Sequence, residues 1–326
     1  MLEHVISPKR MTFDEAYEVF SQLFDENPYR VAGFLSALEV RGYEAEEIAG
    51  FARAMIDRAV SLNLGEVTDI VGTGGDGMAT VNVSSAAAII LSLFTRVAKH
   101  GNRSVTSKSG SADFLEKAGV KIMLDPGEAR QLLEKTNFTF LFAPLYHPSM
   151  SKVMPVRKSL GIRTVFNILG PLANPARPEK ILLGVSEEVL AEKIAVALNI
   201  LGVERAAVVH GYPIDEVSPS GRTLVWEVDG DRLESYTVTP EYFGMKRCRL
   251  IPCLSAEESV ERVRAVFSGN GLEEDRKFIL LNASLALYIC GFDDFIEARE
   301  VAESTLDGSA MKKLEEIACA SGGSNR

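Results

Sequence analysis

The hydrophobic periodicity changes character near residue 66, and that change limits the fold more than any other feature of the chain. Before it, apolar residues recur only at helical spacing. Thr12 and Glu15 form a capping box ahead of Phe13, Ala16, Val19, Phe20, Leu23 and Phe24, a run closed by Asn27-Pro28. A second helix is predicted over 29–41, stopped by Gly42, and a third over 45–60 with Ile48, Phe51, Ala52, Met55, Ile56 and Ala59 on one face. From Val67 onward, short apolar strands alternate with helices: 67–71, 97–99, 120–124, 138–142, 181–185 and 206–210. Alternation of this kind implies an α/β fold with a largely parallel sheet, whose ligands bind at the carboxyl ends of the strands. Thr223 to Val228 and Leu233 to Val238 flank Asp229-Gly230-Asp231 as a hairpin, and helices over 256–267, 275–290, 292–305 and 309–321 close the chain.

The expected organisation is a small all-helical domain of residues 1–65 and a large α/β domain of 66–145 and 176–326. A proline-punctuated insert at 146–175 is expected to return in part to the helical domain. At 326 residues there is ample material for two cores. A net charge of −10 argues against a nucleic-acid-binding surface across the whole chain. Apolar runs fall short of the ~20 residues that span a bilayer. With no signal-peptide pattern at Met1-Leu2-Glu3-His4, a cytoplasmic location is expected. Four dispersed cysteines, Cys248, Cys253, Cys290 and Cys319, and four dispersed histidines make a zinc centre a poor candidate.

Residues 72–85 follow the first strand and lead into a helix. Four glycines in six positions let the backbone adopt φ > 0 and leave its N–H groups open to an anion, and the helix beginning near Ser84 adds its positive end. The run is neither G-x-x-x-x-G-K-[ST] nor G-x-G-x-x-G, so an ordinary nucleotide loop is excluded. A ligand-free turn is the usual reading of a lone glycine cluster, but Asp76, Thr80, Asn82, Ser84 and Ser85 favour binding. A second Gly/Ser loop, Lys99 to Asp113, concentrates cationic and hydroxyl groups suited to a phosphate or pyrophosphate. Asp215-Glu216, at the end of the 206–210 strand, offers the oxygen ligands that Mg²⁺ takes while bridging to substrate phosphates. His147, Arg157 and Arg163 lie on the insert, where an arginine can hold a carboxylate in bidentate geometry.

Taken together, Gly72-Thr73-Gly74-Gly75-Asp76, Asn82-Val83-Ser84, Lys99-His100-Gly101-Asn102, Ser109 to Asp113, His147-Pro148, Val156-Arg157-Lys158, Asn167 to Pro175 and Asp215-Glu216 resemble the anthranilate phosphoribosyltransferase family over essentially the whole chain. Individual motifs are shared with pyrimidine nucleoside phosphorylases, the nearest alternative; a non-enzymatic nucleic-acid-binding relative is the alternative of another class. The resemblance implies a Mg²⁺-dependent step of tryptophan synthesis, in which anthranilate and phosphoribosyl pyrophosphate give N-(5-phosphoribosyl)-anthranilate and pyrophosphate. It implies that Gly72, Gly75, Asp76, Thr80, Asn82, Val83, Ser84, Ser85, Lys99, His100, Gly101, Asn102, Arg103, Ser107 and Ser111 hold the donor. Ser84, Asp215 and Glu216 would hold magnesium. Gly72, Asn102, Arg157, His100 and His147 would receive anthranilate, with Arg157 on its carboxylate. Lys99, Asn102 and Arg157 would align the transition state, with no strong general base required. A homodimer joined through the helical domains is also implied. Two departures stand out: Ser85 occupies a position where the family often has threonine, and Pro213 one where it often has glycine.

Overall fold

The computed structural model describes residues 1–104 and 108–323. Its first sixty residues form four helices. The capping box at Thr12 opens Phe13–Leu23, Asn27 caps Pro28–Arg41, and Gly42 ends that helix at φ +71°. Ala45–Asp57 follows, and a short helix, Leu2–Ile6, precedes them all. Phe20, Phe34 and Phe51 are fully buried among them, with the Phe20 and Phe51 rings stacked 4.7 Å apart. Phe166, from the insert, joins the same cluster 5.2 Å from Phe20.

The α/β portion is built on seven strands: β1 Thr68–Gly72, β2 Val97–Gly101, β3 Phe138–Phe142, β4 Lys180–Gly184, β5 Arg205–His210, β6 Thr223–Asp229 and β7 Arg232–Val238. Their order is β3-β2-β1-β4-β5-β6-β7, parallel from β3 through β5 and antiparallel at the hairpin edge. The chain leaves β1 toward β2 on one side and returns at β4 on the other. This reversal of strand order opens a crevice above the carboxyl ends of β1 and β4. Helices Val83–Leu91 and Glu273–Ile289 are almost wholly buried on one face of the sheet.

The sequence expectation of a strand at 120–124 is not met. Val120, Ile122 and Leu124 are buried while Met123 is exposed, so the alternation is real, but the segment pairs with no strand among the described residues. Ser321 Oγ accepts from the Lys121 amide at 3.0 Å, and Tyr146 Oη donates to the Leu124 carbonyl at 2.9 Å. With side-chain partners for these backbone groups, an extended segment needs no sheet neighbour.

Candidate active site

Gly72 of β1 and Gly184 of β4 lie opposite one another in register at the crevice. The segment carrying Asp215 crosses directly over them. A Cβ on Gly72 would fall 2.6 Å from Asp215 Oδ2, and one on Gly184 would fall 1.4 Å from the Asp215 carbonyl oxygen. Both glycines are therefore demanded by a close backbone approach. The Asp215 segment is fixed at each end. On one side, reciprocal backbone bonds of 3.0 and 2.9 Å between Gly211 and Ile214 close the turn that contains Pro213, whose peptide bond is cis. On the other, the Asn282 side chain accepts from the Val217 amide at 2.9 Å and donates to its carbonyl at 3.2 Å.

This framing delivers Asp215 and Glu216 beside the glycine run. Gly74 donates its N–H to Asp215 Oδ2 at 2.7 Å, and oxygens of Asp76, Asp215 and Glu216 all lie within 4.8 Å of one another. Burial raises the pKa of Asp215 to about 6, with the charge of Asp76 adding to the effect. Burial likewise raises Glu216 well above its ordinary value, reinforced by Asp215 and Asp76, and raises Asp76. Glu216 Oε2 is buried without a hydrogen-bond partner among the described residues. Three crowded oxygen donors whose ionised forms oppose one another fit a hard divalent cation, which would relieve the repulsion. Asp76, expected on the donor, thus stands with the expected metal ligands Asp215 and Glu216. Ser84, the remaining expected ligand, accepts from Lys99 Nζ at 3.4 Å.

Lys99 is almost completely buried in the middle of β2, where its ammonium also donates to the Ile70 carbonyl. Burial lowers its pKa to about 8, against the attraction of Asp69 and Glu216. Asp69, fully buried, is raised to about 6 by the same desolvation. Asn174 Nδ2 secures it, donating at 2.8 Å both to Asp69 Oδ2 and to the Ala98 carbonyl. Asp69 belongs to no motif of the sequence, and its one local signal is a carboxylate inside an apolar strand, which marks a built polar site.

The two Gly/Ser loops meet through side chains. Ser109 Oγ donates to Asn82 Oδ1 at 2.8 Å, while the Asn82 amide donates to Ser259 Oγ at 2.9 Å. Ser259, far away in sequence, had no local signal. Gly101 lies against Ser111, whose Oγ would be only 2.1 Å from a Cβ there, and Ser111 Oγ donates to the carbonyl of the exposed Asn102 at 3.5 Å. Thr80 is half-buried near the start of the Val83–Leu91 helix. The Val83 amide is already used, bonding to the Val81 carbonyl at 2.6 Å, and the Ser85 hydroxyl is buried with no partner among the described residues. Arg103 points to Asp113 and Glu116, with contacts of 3.0 and 2.8 Å at an exposed position. Ser107 lies outside the described residues.

His100 and His147 form an edge-to-face pair with ring centres 5.2 Å apart. Both are buried, and the Nε2 atom of each has no partner among the described residues; His100 Nδ1 lies 3.2 Å from the Gly170 carbonyl. Burial lowers His147 to about 4, and burial with His147 alongside lowers His100 to about 3, so both rings are neutral near pH 7. Arg157 stacks 5.2 Å from the Phe166 ring and reaches Asn167 Oδ1 at 3.4 Å. It has no carboxylate partner among the described residues, and burial lowers its pKa.

The family model described as "Glycosyl transferase family, a/b domain" matches residues 64–311, and its companion "helical bundle domain" matches residues 1–59. The chain is 55% identical to the anthranilate phosphoribosyltransferase of Pyrococcus furiosus over 322 residues, 98% of this chain and 99% of that one. Among solved structures, the anthranilate phosphoribosyltransferase of Thermus thermophilus superposes with a TM-score of 0.93 at 37% identity, covering 99% of both chains. The Saccharomyces cerevisiae enzyme in complex with phosphoribosyl pyrophosphate and Mg gives 0.89 at 30% identity, covering 98% of this chain and 96% of the other. That yeast enzyme has also been solved with 4-fluoroanthranilate.

Proposed function

We propose that this chain, which belongs to the anthranilate phosphoribosyltransferase family, transfers the 5-phosphoribosyl group of phosphoribosyl pyrophosphate to the amine of anthranilate and releases pyrophosphate. The observation that carries the reading is the convergence of Asp76, Asp215 and Glu216 with Lys99 between two glycine loops at the β1–β4 crevice. At C1 of the ribose the bond to pyrophosphate breaks with its electron pair leaving on the pyrophosphate oxygen, a bond to the anthranilate nitrogen forms, and that nitrogen gives a proton to the departing pyrophosphate or to solvent. Asp215, Glu216 and Ser84, with Asp76 beside them, would hold magnesium, which when bound would neutralise charge developing on the departing pyrophosphate. Lys99 and the N-terminus of the Val83–Leu91 helix add fixed positive potential on the same group. The backbone of Gly72 to Asp76, with Thr80, Asn82 and Ser111, cradles the donor.

On the acceptor side, Arg157 pairs with the anthranilate carboxylate, which supplies an anionic partner that it lacks among the described residues. His100 and His147, neutral and with Nε2 atoms that have no partner among the described residues, offer polar contacts on a buried wall. An aromatic amine is nucleophilic without prior deprotonation, so alignment and exclusion of water are the main tasks.

The same reading divides the chain into a helical unit, 1–65 with part of 146–175, and an α/β unit of 66–145 and 176–326; the packing of Phe166 with Phe20 supports it. A homodimer through the helical unit is supported by the exposed apolar side chains Ile6, Tyr29 and Val40, and light scattering tests it. Both substrates are charged small molecules, in keeping with a reaction in the cytoplasm.

The decisive assay follows anthranilate fluorescence under saturating phosphoribosyl pyrophosphate, with and without Mg²⁺. Loss of anthranilate only when both are present is expected; no loss overturns the reading.

A further inference from the structure

We infer that Arg163 is a positioning residue that holds the glycine run in the shape that receives the phosphoribosyl donor. The inference rests on the transferase reading and extends it to a side chain that has no place in the substrate contacts described above. Arg163 lies between the helices Met150–Leu160 and Phe166–Leu172, and the second of these is anchored by Phe166 among the N-terminal aromatic rings. From there its guanidinium reaches across to the sheet. Nη2 donates to the Gly75 carbonyl at 2.5 Å, and Nη1 is paired with Glu187, the residue that caps the helix after β4. A Cβ on Gly75 would lie 2.6 Å from Nη2, so the guanidinium rests directly on this glycine.

The run needs such a hold. Gly74, Gly75 and Gly77 have φ of +60°, +79° and +76°, and three glycines among four residues leave the backbone with little conformational preference of its own. In a planar trans peptide the C=O and N–H point in opposite directions. Pinning the Gly75 carbonyl toward Arg163 therefore turns the Asp76 N–H away from it and sets where the Asp76 carboxylate begins. Asp76 is one of the three clustered carboxylates, so the geometry of donor and metal groups passes through this one peptide. Arg163 is committed to a carbonyl and a carboxylate, whereas Arg157 reaches only Met154 Sδ at 3.7 Å and Asn167 Oδ1 at 3.4 Å and has no carboxylate partner among the described residues.

The test compares Arg163→Met, Arg163→Lys and Glu187→Gln with the wild type. Donor affinity is read by calorimetric titration of phosphoribosyl pyrophosphate with Mg²⁺ in the absence of anthranilate, and by steady-state KM values for both substrates. A displaced loop is expected to weaken donor binding about 10–100-fold in Arg163→Met. The anthranilate KM should change less than about threefold, since Arg157 is untouched. Arg163→Lys should recover part of the loss, because an ammonium keeps the charge but cannot span both acceptors. Thermal unfolding of each variant identifies any that fail to fold, and the half-exposed Glu187→Gln keeps the comparison open if Arg163→Met is among them. Equal effects on both substrates, or wild-type donor affinity in the folded variants, overturn the assignment. A wild type that binds the donor but does not consume anthranilate overturns the transferase reading instead, while the titrations still decide the role of Arg163.

Discussion

Replacing Gly72 by alanine tests the crevice with a single methyl group. Gly72 has an ordinary strand φ, so alanine brings no backbone strain, and the effect comes from contact alone. The new Cβ would stand 2.6 Å from Asp215 Oδ2, an approach that real Cβ atoms do not make. The oxygen has to retreat by roughly 0.4–0.8 Å to reach a tolerable 3.0–3.4 Å. That retreat stretches the 2.7 Å bond from the Gly74 amide and moves Asp215 relative to Asp76 and Glu216. A hydrogen bond to a charged group contributes about 1.5–3 kcal/mol, and a misplacement approaching 1 Å can cost about 100-fold in rate. Gly72→Ala is therefore expected to lose about 10–100-fold in kcat/KM and to need more Mg²⁺ for half-maximal rate, while remaining folded. The assay is anthranilate fluorescence across a Mg²⁺ titration, with circular dichroism as the control for folding. A variant with the wild-type Mg²⁺ dependence and rate would refute the claim that Gly72 is kept bare for Asp215.

Asp215→Asn combined with Glu216→Gln should abolish Mg²⁺-dependent turnover with the fold intact; near wild-type activity would remove these residues from the metal set. Arg157→Ala should raise the anthranilate KM by about 10–100-fold, the worth of a charge-assisted pair, and leave the donor KM nearly unchanged. Asn174→Ala removes the shorter donor from the buried Asp69 carboxylate, leaving it the His100 amide at 3.3 Å, and removes a donor from the Ala98 carbonyl; it should cost about 2–4 kcal/mol in denaturant unfolding, and a loss below about 0.5 kcal/mol would contradict the network. His147 and His100 have pKa values lowered in the folded protein, so the unfolded chain binds more protons below pH 6.5. Their stabilising contribution is complete above that pH and is lost as pH falls toward about 4 for His147 and about 3 for His100. The slope is about 1.4 kcal/mol per pH unit for each histidine within its window. His147→Gln should flatten the unfolding midpoint between pH 6.5 and 4, and a curve parallel to the wild type would refute the assignment.

Much of the site is legible in local sequence because its chemistry is carried by short segments at strand ends. The runs at 72–85 and 99–113 are readable as candidate anion loops through their glycine, hydroxyl and, in the second, cationic content, and Asp215-Glu216 as a candidate cation pair. The helical caps at Thr12 and Asn27 are equally local, since a cap is decided within four residues. The segment at 120–124 misleads for the converse reason. Alternating burial is a property of one strand's own residues, whereas strand pairing depends on a neighbour, and here Ser321 and Tyr146 supply the bonds that a neighbour would have made. Asn82 with Ser259, and Asp69 with Asn174, are pairs separated by 177 and 105 positions, too far for spacing to reveal.

The division into helical and α/β segments, the two glycine-containing loops at strand ends and the adjacent acidic pair are all written into the sequence, since each follows from side-chain periodicity or composition over a few residues. Tertiary packing alone establishes that Asp76 joins Asp215 and Glu216, that Gly72 and Gly184 are bare because Asp215 crosses above them, and that Arg163 rests on Gly75. Those relations arise where the order of parallel strands reverses between β1 and β4. Such a reversal brings together segments 88 positions apart, as for Arg163 and Gly75, to 141 apart, as for Gly74 and Asp215, and no local property of either segment records the other.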